Sequence, residues 1–360
     1  MRPEPAPIGF LFLGEKLLVP HLLPIAESVA QAAPDIAIDA WCRARHVETT
    51  IVPRLAAYPN VRIRRAPGFG RRLSKSLTLT LIAPKLAAHR VAVCAEQTSL
   101  WLPLIAPIRT RFVKTSHGVG SMSARDDARR KAAWRMLVPS ERERRTYLDR
   151  GHDPERVIAT GYVKAAYERG ETRSPFADGK PVLLYAPHWQ RHRSSWWDWG
   201  PDIVRMLAAQ DRYNVVIAPH ERLSLSEPSV EPALQSVAGL PHVHVDLGSD
   251  ALIDGSYTAL ADVYLGDTSS QVVEFLARPR PCVFLNSQGL DWRATDDHAF
   301  WYCGEVVARR EDVAAAIDRA PLRHAGYAEV QRLFAADSLG DCSGEAPRRA
   351  AQVVLQGLAA

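Results

Sequence analysis

The chain has 360 residues, more than the roughly 250–300 at which a single hydrophobic core usually stops growing, so two domains are expected. Its 47% hydrophobic and 24% charged residues are ordinary for a soluble globular protein and exclude an intrinsically disordered chain. The net charge of +5 is modest, which predicts no nucleic-acid partner, and five scattered cysteines show no paired spacing for a metal or redox site.

The N-terminal half alternates short apolar runs with segments of helical length. Residues 8–13 form the first predicted strand, and the apolar spacing from Leu17 to Val29 predicts a helix. Further strands are predicted at residues 36–41, 61–63, 92–94 and 110–115. This alternation is typical of βαβ units in a parallel sheet. The run at 8–13 lacks signal-peptide flanks, and no run approaches the roughly 20 apolar residues of a spanning helix, so a cytoplasmic protein is expected.

Residues 169–180 interrupt this pattern with glycine, serine, proline and aspartate and carry no apolar period, which predicts a linker. Strands are predicted again at residues 181–186, 214–218, 243–245, 263–265 and 281–285. The predicted fold is α/β, with two Rossmann-like parallel-sheet domains facing a cleft. Its predicted parts are residues 1–168, the linker 169–180, residues 181–335, and a tail at 336–360 that packs back.

Ligands of open α/β sheets bind outside the carboxyl ends of the strands, so the residues just after each strand are the candidates for a site. His117 and Gly118 follow the strand predicted at residues 110–115. An imidazole there suits a general base for an attacking hydroxyl, and Gly118 permits close backbone approach to a nucleotide. The alternative is a histidine that only bonds a loop carbonyl.

Two further strand ends carry cations and histidines. Residues 185–193 include Arg191 and Arg193, whose planar guanidinium groups suit phosphate. His220 follows the next strong strand and is a candidate donor to a pyrophosphate, with helix capping as the equal alternative. The tryptophans at residues 196–199 are predicted to be core residues rather than base-stacking ones.

The clearest local signal is the turn at residues 266–270, between a predicted strand and a predicted helix. Hydroxyls of Thr268, Ser269 and Ser270 meet the free N–H groups of the helix start there, which predicts a donor-phosphate site. An ordinary N-cap is the alternative, although a cap needs only one hydroxyl. Glu274, one turn on, is a candidate partner for ribose hydroxyls or else an exposed surface carboxylate.

Between residues 61 and 76 the chain carries six cations and no acid, which predicts contact with a polyanion or an anionic membrane. A solvated loop and helix face is the alternative interpretation. The cations are Arg62, Arg64, Arg65, Arg71, Arg72 and Lys75.

Taken in order, the segments from about residue 112 to residue 285 resemble the CDP-glycerol glycerophosphotransferase family, the enzymes of teichoic-acid-type polymer synthesis. The resemblance is carried by four motifs, which are His117-Gly118, Tyr185-Ala186-Pro187-His188-Trp189, His220, and Asp267-Thr268-Ser269-Ser270.

The resemblance implies a GT-B-like transferase that moves glycerol phosphate, or a related polyol phosphate, from a CDP-linked donor to a hydroxyl of a lipid-linked or polymeric cell-envelope glycan. It implies that His117 is the catalytic base, and that His220, Ser269 and Ser270 hold the donor phosphates without a metal or cofactor. A lipid-linked acceptor implies a peripheral position on the inner face of the cell membrane. The open alternatives are a GT-B glycosyltransferase using a nucleotide sugar, a non-hydrolysing sugar-nucleotide epimerase, and a non-catalytic nucleotide-binding relative.

Overall fold

The computed structural model describes residues 7–70, 73–116, 118–119, 128–167, 174–294 and 296–359. The chain divides into two compact units. The N-terminal unit combines Met1–Tyr167 with Asp337–Ala360, and the C-terminal unit is Glu168–Ala336. Each unit contains one wholly parallel sheet in the part of the chain that the structure describes.

The sheet of the N-terminal unit has seven strands in the order β3-β2-β1-β4-β5-β6-β7. The strands are β1 (Ile8–Phe12), β2 (Ile38–Cys42), β3 (Val61–Arg65), β4 (Val91–Cys94), β5 (Arg111–Thr115), β6 (Arg135–Val138) and β7 (Val157–Ala159). The helices of this unit are α1 (Val19–Ala32), α2 (Arg45–Leu55), α3 (Lys75–Leu86), α4 (Leu102–Ile105), α5 (Ala128–Lys131), α6 (Glu141–Asp149) and, at the end of the chain, α14 (Ala346–Ala359).

The apolar residues of α1 and α14 explain how the C-terminal tail joins this unit. Ala350 and Val354 of α14 are buried in the same hydrophobic cluster as Leu22 and Val29 of α1. That cluster also contains Phe10 of β1, so one face of the sheet is covered by both helices. Burial on both faces is why β1 is a continuous apolar run, whereas β2 also contains the buried Asp39, which binds Arg62 and Arg64.

The sheet of the C-terminal unit has six strands in the order β10-β9-β8-β11-β12-β13. The strands are β8 (Val182–Ala186), β9 (Asn214–Ile217), β10 (Val243–Val245), β11 (Val263–Gly266), β12 (Cys282–Leu285) and β13 (Glu305–Val307). The helices are α7 (Trp196–Ala209), α8 (Glu221–Ser226), α9 (Val230–Gln235), α10 (Ser256–Leu260), α11 (Ser270–Leu276), α12 (Val313–Arg323) and α13 (Ala328–Leu339), which leads back to the N-terminal unit.

The predicted fold class, α/β with two Rossmann-like parallel-sheet domains of GT-B type, is confirmed. Every predicted strand is present, with ends shifted by at most two residues. The structure adds β6, β7 and β13, which are only three or four residues long.

In both sheets the first strand of the unit lies between the second and the fourth strand. Successive strands are therefore added first on one side of it and then on the other. This reversal occurs between β1 and β4 in one sheet and between β8 and β11 in the other. The crevice at the carboxyl ends of such a strand pair is the usual ligand position in open α/β sheets. No helix within the described ranges is both long enough and apolar enough to cross a bilayer.

Candidate functional site

The turn after β11 is held against the loop after β8 by a buried carboxylate. Asp267 is 1% exposed. Its Oδ2 accepts from the backbone N–H of His188 at 2.9 Å, and its Oδ1 accepts from the backbone N–H of Ser195 at 3.0 Å. Burial raises the pKa of Asp267 to about 6, although these hydrogen bonds oppose the shift. Asp267 therefore joins the two loops that flank the reversal of strand order.

Thr268 lies directly after this brace and is 2% exposed. Its Oγ1 is buried and has no hydrogen-bond partner among the residues that the structure describes. A buried hydroxyl without a partner costs about 1–3 kcal/mol, so its retention points to a ligand-facing role. Thr268 lines a small cavity together with Arg193, Asn286 and Trp301.

The other two hydroxyl-bearing residues of the turn are Ser269 and Ser270. Ser269 is the N-cap of α11, and its Oγ accepts from the backbone N–H of Gln271 at 3.2 Å. The ordinary cap that the sequence left as an alternative is thus formed by Ser269. Ser270 begins α11, and its side chain lies outside the described part of the structure. The assignment of both residues to a donor phosphate stays a prediction.

His188, at the end of β8, faces His220, at the end of β9. Their ring centroids are 5.8 Å apart. The pKa of His188 is lowered to about 3, first by burial and then by the positive charges of His220, Arg193, His192 and Arg222. The same perturbation shows that this edge of the sheet is electropositive, with two arginines and three histidines close together. His188 is neutral at physiological pH.

His220 is also the N-cap of α8, because its Nδ1 accepts from the backbone N–H of Arg222 at 3.1 Å. The helix-capping alternative is therefore confirmed for Nδ1 of His220. The accepting Nδ1 assigns the proton of a neutral ring to Nε2. His188 is arranged in the same way, since its Nδ1 accepts from the backbone N–H of Gln190 at 3.2 Å.

The two predicted phosphate arginines lie in different surroundings. Arg193 lines the cavity of Thr268, and its positive charge helps to lower the pKa of His188. Arg191 places its guanidinium over the ring of Trp197, 5.9 Å from the centroid, and lowers the pKa of Glu227 after stronger hydrogen bonds from Ser229 and Trp197. Arg193 is therefore the better placed of the two for an anion in this cavity.

Glu274 is partly buried on α11 rather than a fully exposed carboxylate. The predicted core role is confirmed for Trp196, which is fully buried and donates from Nε1 to Ser229 Oγ at 3.0 Å. The neighbouring Trp197 and Trp199 pack against the same hydrophobic cluster.

In the N-terminal unit, the predicted base His117 lies outside the described residues. Its neighbour Gly118 is described, and the Gly118 carbonyl accepts from Ser116 Oγ at 3.0 Å. Gly118 lines a small pocket at the carboxyl ends of β5, β6 and β7, whose other polar residues include His21 and Thr160. Thr160 Oγ1 is buried and has no hydrogen-bond partner in the described ranges.

A second polar pocket lies where the strand order of the N-terminal sheet reverses. Glu96 follows β4, is 6% exposed, and accepts a short hydrogen bond from Ser99 Oγ. The pocket is also lined by Arg43, which follows β2, and by Thr78 of α3. A carboxylate, a guanidinium and hydroxyls in one pocket suit a polyhydroxy ligand.

Sequence reasoning did not select Glu96 as a site residue. It named His188 only as one of the two histidines beside Arg191 and Arg193, and Arg222 only as a helper of His220. Glu96 had a clear signal, because it directly follows the predicted strand at residues 92–94 and is the only acid between residues 61 and 125. Among the described residues, no group of three or more His, Cys, Asp or Glu side chains is arranged to hold a metal ion.

Part of the basic segment is paired with carboxylates. Arg62 and Arg64 on β3 both bind Asp39, with Nε–Oδ1 distances of 2.9 and 3.0 Å. Arg65 binds Glu48 at 2.7 Å. Arg71, Arg72 and the side chain of Lys75 lie outside the described part of the structure.

No protein-family model and no curated protein sequence matches the chain. Solved structures do match its fold. The wall teichoic acid polymerase TagF aligns over 100% of this chain and 90% of its own, with a TM-score of 0.68 and 13% identity. UDP-GlcNAc 2-epimerase from Neisseria meningitidis, bound to UDP-GlcNAc, aligns over 98% and 99%, with a TM-score of 0.61 and 12% identity.

A third structure, S. aureus MnaA with UDP, aligns over 98% of this chain and 96% of its own, with a TM-score of 0.66 and 13% identity. At these identities the similarity establishes the fold. This chain therefore has the two-domain α/β fold that these three proteins share.

Proposed function

We propose that this protein is a transferase that binds a nucleotide-linked diphosphate at the carboxyl edge of the C-terminal sheet. The observation that carries the proposal is the buried hydroxyl of Thr268, which has no partner among the described residues and lines a cavity with Arg193. The electropositive surroundings of His188 complement a diphosphate. The donor is of the CDP-glycerol type, as the sequence motifs imply.

The chemistry follows from these groups. The guanidinium of Arg193 and the Nε2–H groups of His188 and His220 donate to phosphate oxygens, and Thr268 donates its hydroxyl. Phosphoryl transfer depends mainly on positioning and on stabilisation of charge that spreads over the phosphate oxygens. A neutral His188 is suitable here because it donates a hydrogen bond without requiring a low pH.

The acceptor hydroxyl attacks the β-phosphorus of the donor. The new bond joins the acceptor oxygen to that phosphorus, and the bond to the oxygen of CMP breaks. His117 takes the proton of the hydroxyl, so CMP leaves with the electron pair of the broken bond. Gly118 and Glu274 complete the proposed nucleotide contacts. The acceptor is a lipid-linked or polymeric cell-envelope glycan.

The fold neighbours support a nucleotide-linked donor without selecting one. TagF structures include a soak with CDPG, and the other two neighbours were solved with UDP-GlcNAc and with UDP. A glycosyltransferase or epimerase that uses a nucleotide sugar is therefore the second candidate.

A panel of CDP- and UDP-linked donors, incubated with the protein and a hydroxyl-bearing acceptor, tests the proposal. If the protein is the proposed transferase, it should release CMP from a CDP-linked polyol. Release of a nucleoside diphosphate instead identifies a glycosyltransferase, and conversion of a UDP-sugar to its epimer identifies an epimerase. A protein that binds nucleotide and turns over none of the donors contradicts enzymatic function.

Contact of the basic segment with an anionic membrane is also part of the proposal, because the acceptor is lipid-linked. Each nearby cation contributes about 1 kcal/mol to binding of anionic lipid. The ion pairs of Arg62, Arg64 and Arg65 reduce what these three residues contribute.

A further inference from the structure

The cavity of Thr268 is bordered by a second buried polar group, the indole of Trp301. Trp301 lies between β12 and β13, is 2% exposed and lines this cavity. Its Nε1, like Oγ1 of Thr268, has no hydrogen-bond partner among the residues that the structure describes. A buried polar group that is left unpaired destabilises the fold. Two such groups at one cavity therefore indicate that a ligand supplies the partners.

Aromatic neighbours pack against both sides of this indole. The ring of Trp301 is stacked on that of Phe284 in β12, with 6.3 Å between the centroids and 19° between the planes. The ring of Trp292 lies 5.9 Å away at an angle of 62°. An indole N–H donates and cannot accept, so its partner must be an acceptor such as a hydroxyl or phosphoryl oxygen. Because the ring is already packed, it loses little freedom when such an oxygen binds.

The two amide side chains on the β12 side of the cavity already donate within the protein. Asn286 Nδ2 donates to the Leu290 carbonyl at 3.0 Å, and Asn286 Oδ1 accepts from the Leu290 N–H at 2.8 Å. Gln288 Nε2 donates to the Arg191 carbonyl at 2.6 Å. These bonds hold the loop after β12 in place. The N–H of Trp301 differs from these amides, since no described residue accepts from it.

Trp301 and the cations lie on opposite sides of Thr268. The order of the four strands concerned is β9-β8-β11-β12. Arg222 follows β9 and Arg193 follows β8, whereas Thr268 follows β11 and Trp301 comes after β12. The positive charge is thus concentrated toward β8 and β9, and an uncharged donor stands toward β12.

We propose that the Nε1–H of Trp301 donates to an oxygen of the group attached to the donor's diphosphate, which we call the carried group. The diphosphate lies at Thr268 and the cations, so the carried group extends toward β12. The cavity has a volume of about 10 Å³, roughly enough for one water-sized group, so a single hydroxyl enters it. Trp301 therefore selects donors whose carried group has a hydroxyl. This inference rests on the proposed function, because it requires a diphosphate at this edge.

Trp301 lies beyond residue 285, where the resemblance to the glycerophosphotransferase family ends. Its assignment therefore depends on the cavity and not on the motifs.

Calorimetric binding of CDP and of CDP-glycerol to the unmodified protein and to Trp301→Phe tests the inference. Only CDP-glycerol has a carried group. Trp301→Phe should raise the dissociation constant of CDP-glycerol about 3- to 10-fold, because one hydrogen bond is lost, and that of CDP by less than about twofold. Trp292→Phe is the matched control and should change neither constant, because Trp292 is 6% exposed in the same aromatic cluster and does not line the cavity.

Nuclear magnetic resonance of the indole N–H groups gives a second measurement on the unmodified protein, which has nine tryptophans. CDP-glycerol, but not CDP, should move one indole resonance downfield, as a new hydrogen bond does. Trp301→Phe should lack that resonance, and Trp292→Phe should keep it. Thermal unfolding verifies that both variants are folded. If no indole resonance distinguishes CDP-glycerol from CDP, the inference is wrong even where Trp301→Phe does not fold.

Equal weakening of CDP and CDP-glycerol binding by Trp301→Phe would place the N–H against the diphosphate and overturn the inference. Unchanged binding of both would overturn it as well, while the proposed diphosphate site would stand. If the protein binds UDP and UDP-GlcNAc instead, a loss confined to UDP-GlcNAc would retain the role of Trp301 and reject the CDP-linked donor. Binding of none of the four nucleotides would reject both the inference and the proposed function.

Discussion

The carboxyl edges of the two sheets have the same strand order and opposite chemistry. In the C-terminal unit, Arg193 and Arg222 make the edge electropositive around the hydroxyl of Thr268, which has no partner among the described residues. In the N-terminal unit, the corresponding reversal of strand order holds the buried carboxylate of Glu96. One edge suits a diphosphate, and the other suits the hydroxyls of a polyol.

The proposed function accordingly assigns the position of each ligand to the topology, and the chemistry of each ligand to the residues after the strands. The same reversal follows from βαβ winding in both units. No feature of the winding requires an acid after β4 and histidines after β8 and β9. The tests below address this division into a donor edge and an acceptor edge, from the largest expected effect to the smallest.

Replacement of His117 by alanine tests the acceptor edge. We expect kcat to fall by about 100- to 10,000-fold, the usual contribution of a general base, while donor affinity is unchanged. Steady-state kinetics and equilibrium binding of the donor measure the two quantities. His46 is exposed on α2, so His46→Ala is the control and should keep full activity. An unchanged kcat in His117→Ala would contradict the proposed role of His117 as the general base at this edge.

Replacement of Asp267 by asparagine tests the brace of the donor edge. The pKa of Asp267 is about 6 in the folded protein, against 3.8 for the free side chain, so the folded protein holds the proton more tightly. The free energy of unfolding should therefore rise as the pH falls from above 6 to below 3.8, by about 3 kcal/mol in total. Asp267→Asn has no proton to gain and should lack this component.

Denaturant titrations of both proteins across that pH range measure the difference. The stability of the unmodified protein minus that of Asp267→Asn should increase as the pH falls. A difference that stays constant, or that decreases, would contradict the burial of an ionisable Asp267.

Replacement of Thr268 by valine removes only the buried hydroxyl. We expect the donor dissociation constant to rise about 10- to 100-fold, because a hydrogen bond to a charged phosphate is lost. Stability should stay equal or increase, since the hydroxyl has no partner within the described residues. Calorimetric binding and thermal unfolding test the two statements. Thr268→Ser keeps the hydroxyl and should bind nearly normally; normal binding by Thr268→Val would exclude the hydroxyl from the site.

The two arginines after β8 provide the smallest and most selective comparison. Arg193→Gln should raise the donor dissociation constant about tenfold, because Arg193 lines the cavity. Arg191→Gln should change it less than about threefold, because its guanidinium lies over Trp197. Donor titrations of both variants decide the matter. Equal effects would mean that the donor extends over Trp197.

The sequence was most informative where apolar runs were long. The strands from residue 8 to residue 115 and from residue 181 to residue 285 are recognisable from alternation, and the motifs after them fall at the carboxyl edges as expected. β6, β7 and β13 were not selected from the sequence, although they are as long as β10 and β4, which were predicted. Their place in the sheets follows from tertiary pairing.

The site required distances that no sequence pattern contains. His188 and His220 are 32 positions apart, and only the pairing of β8 with β9 brings their rings within 5.8 Å. The pairing of Arg62 and Arg64 with Asp39 likewise depends on the register of β2 and β3. Arg62 and Arg64 are therefore paired with a carboxylate, although their own stretch of sequence contains no acid. Glu96, in contrast, was detectable as a lone acid after a strand.

Binding of CDP and of cytidine to the unmodified protein and to a Thr268→Val/Arg193→Gln variant tests the central claim most directly. If the carboxyl edge of the C-terminal sheet holds the diphosphate, CDP should bind the unmodified protein much more tightly than cytidine does, and the double variant should lose most of that difference. Equal affinity of the unmodified protein for CDP and cytidine, or unchanged CDP binding by the double variant, would contradict a diphosphate site at this edge.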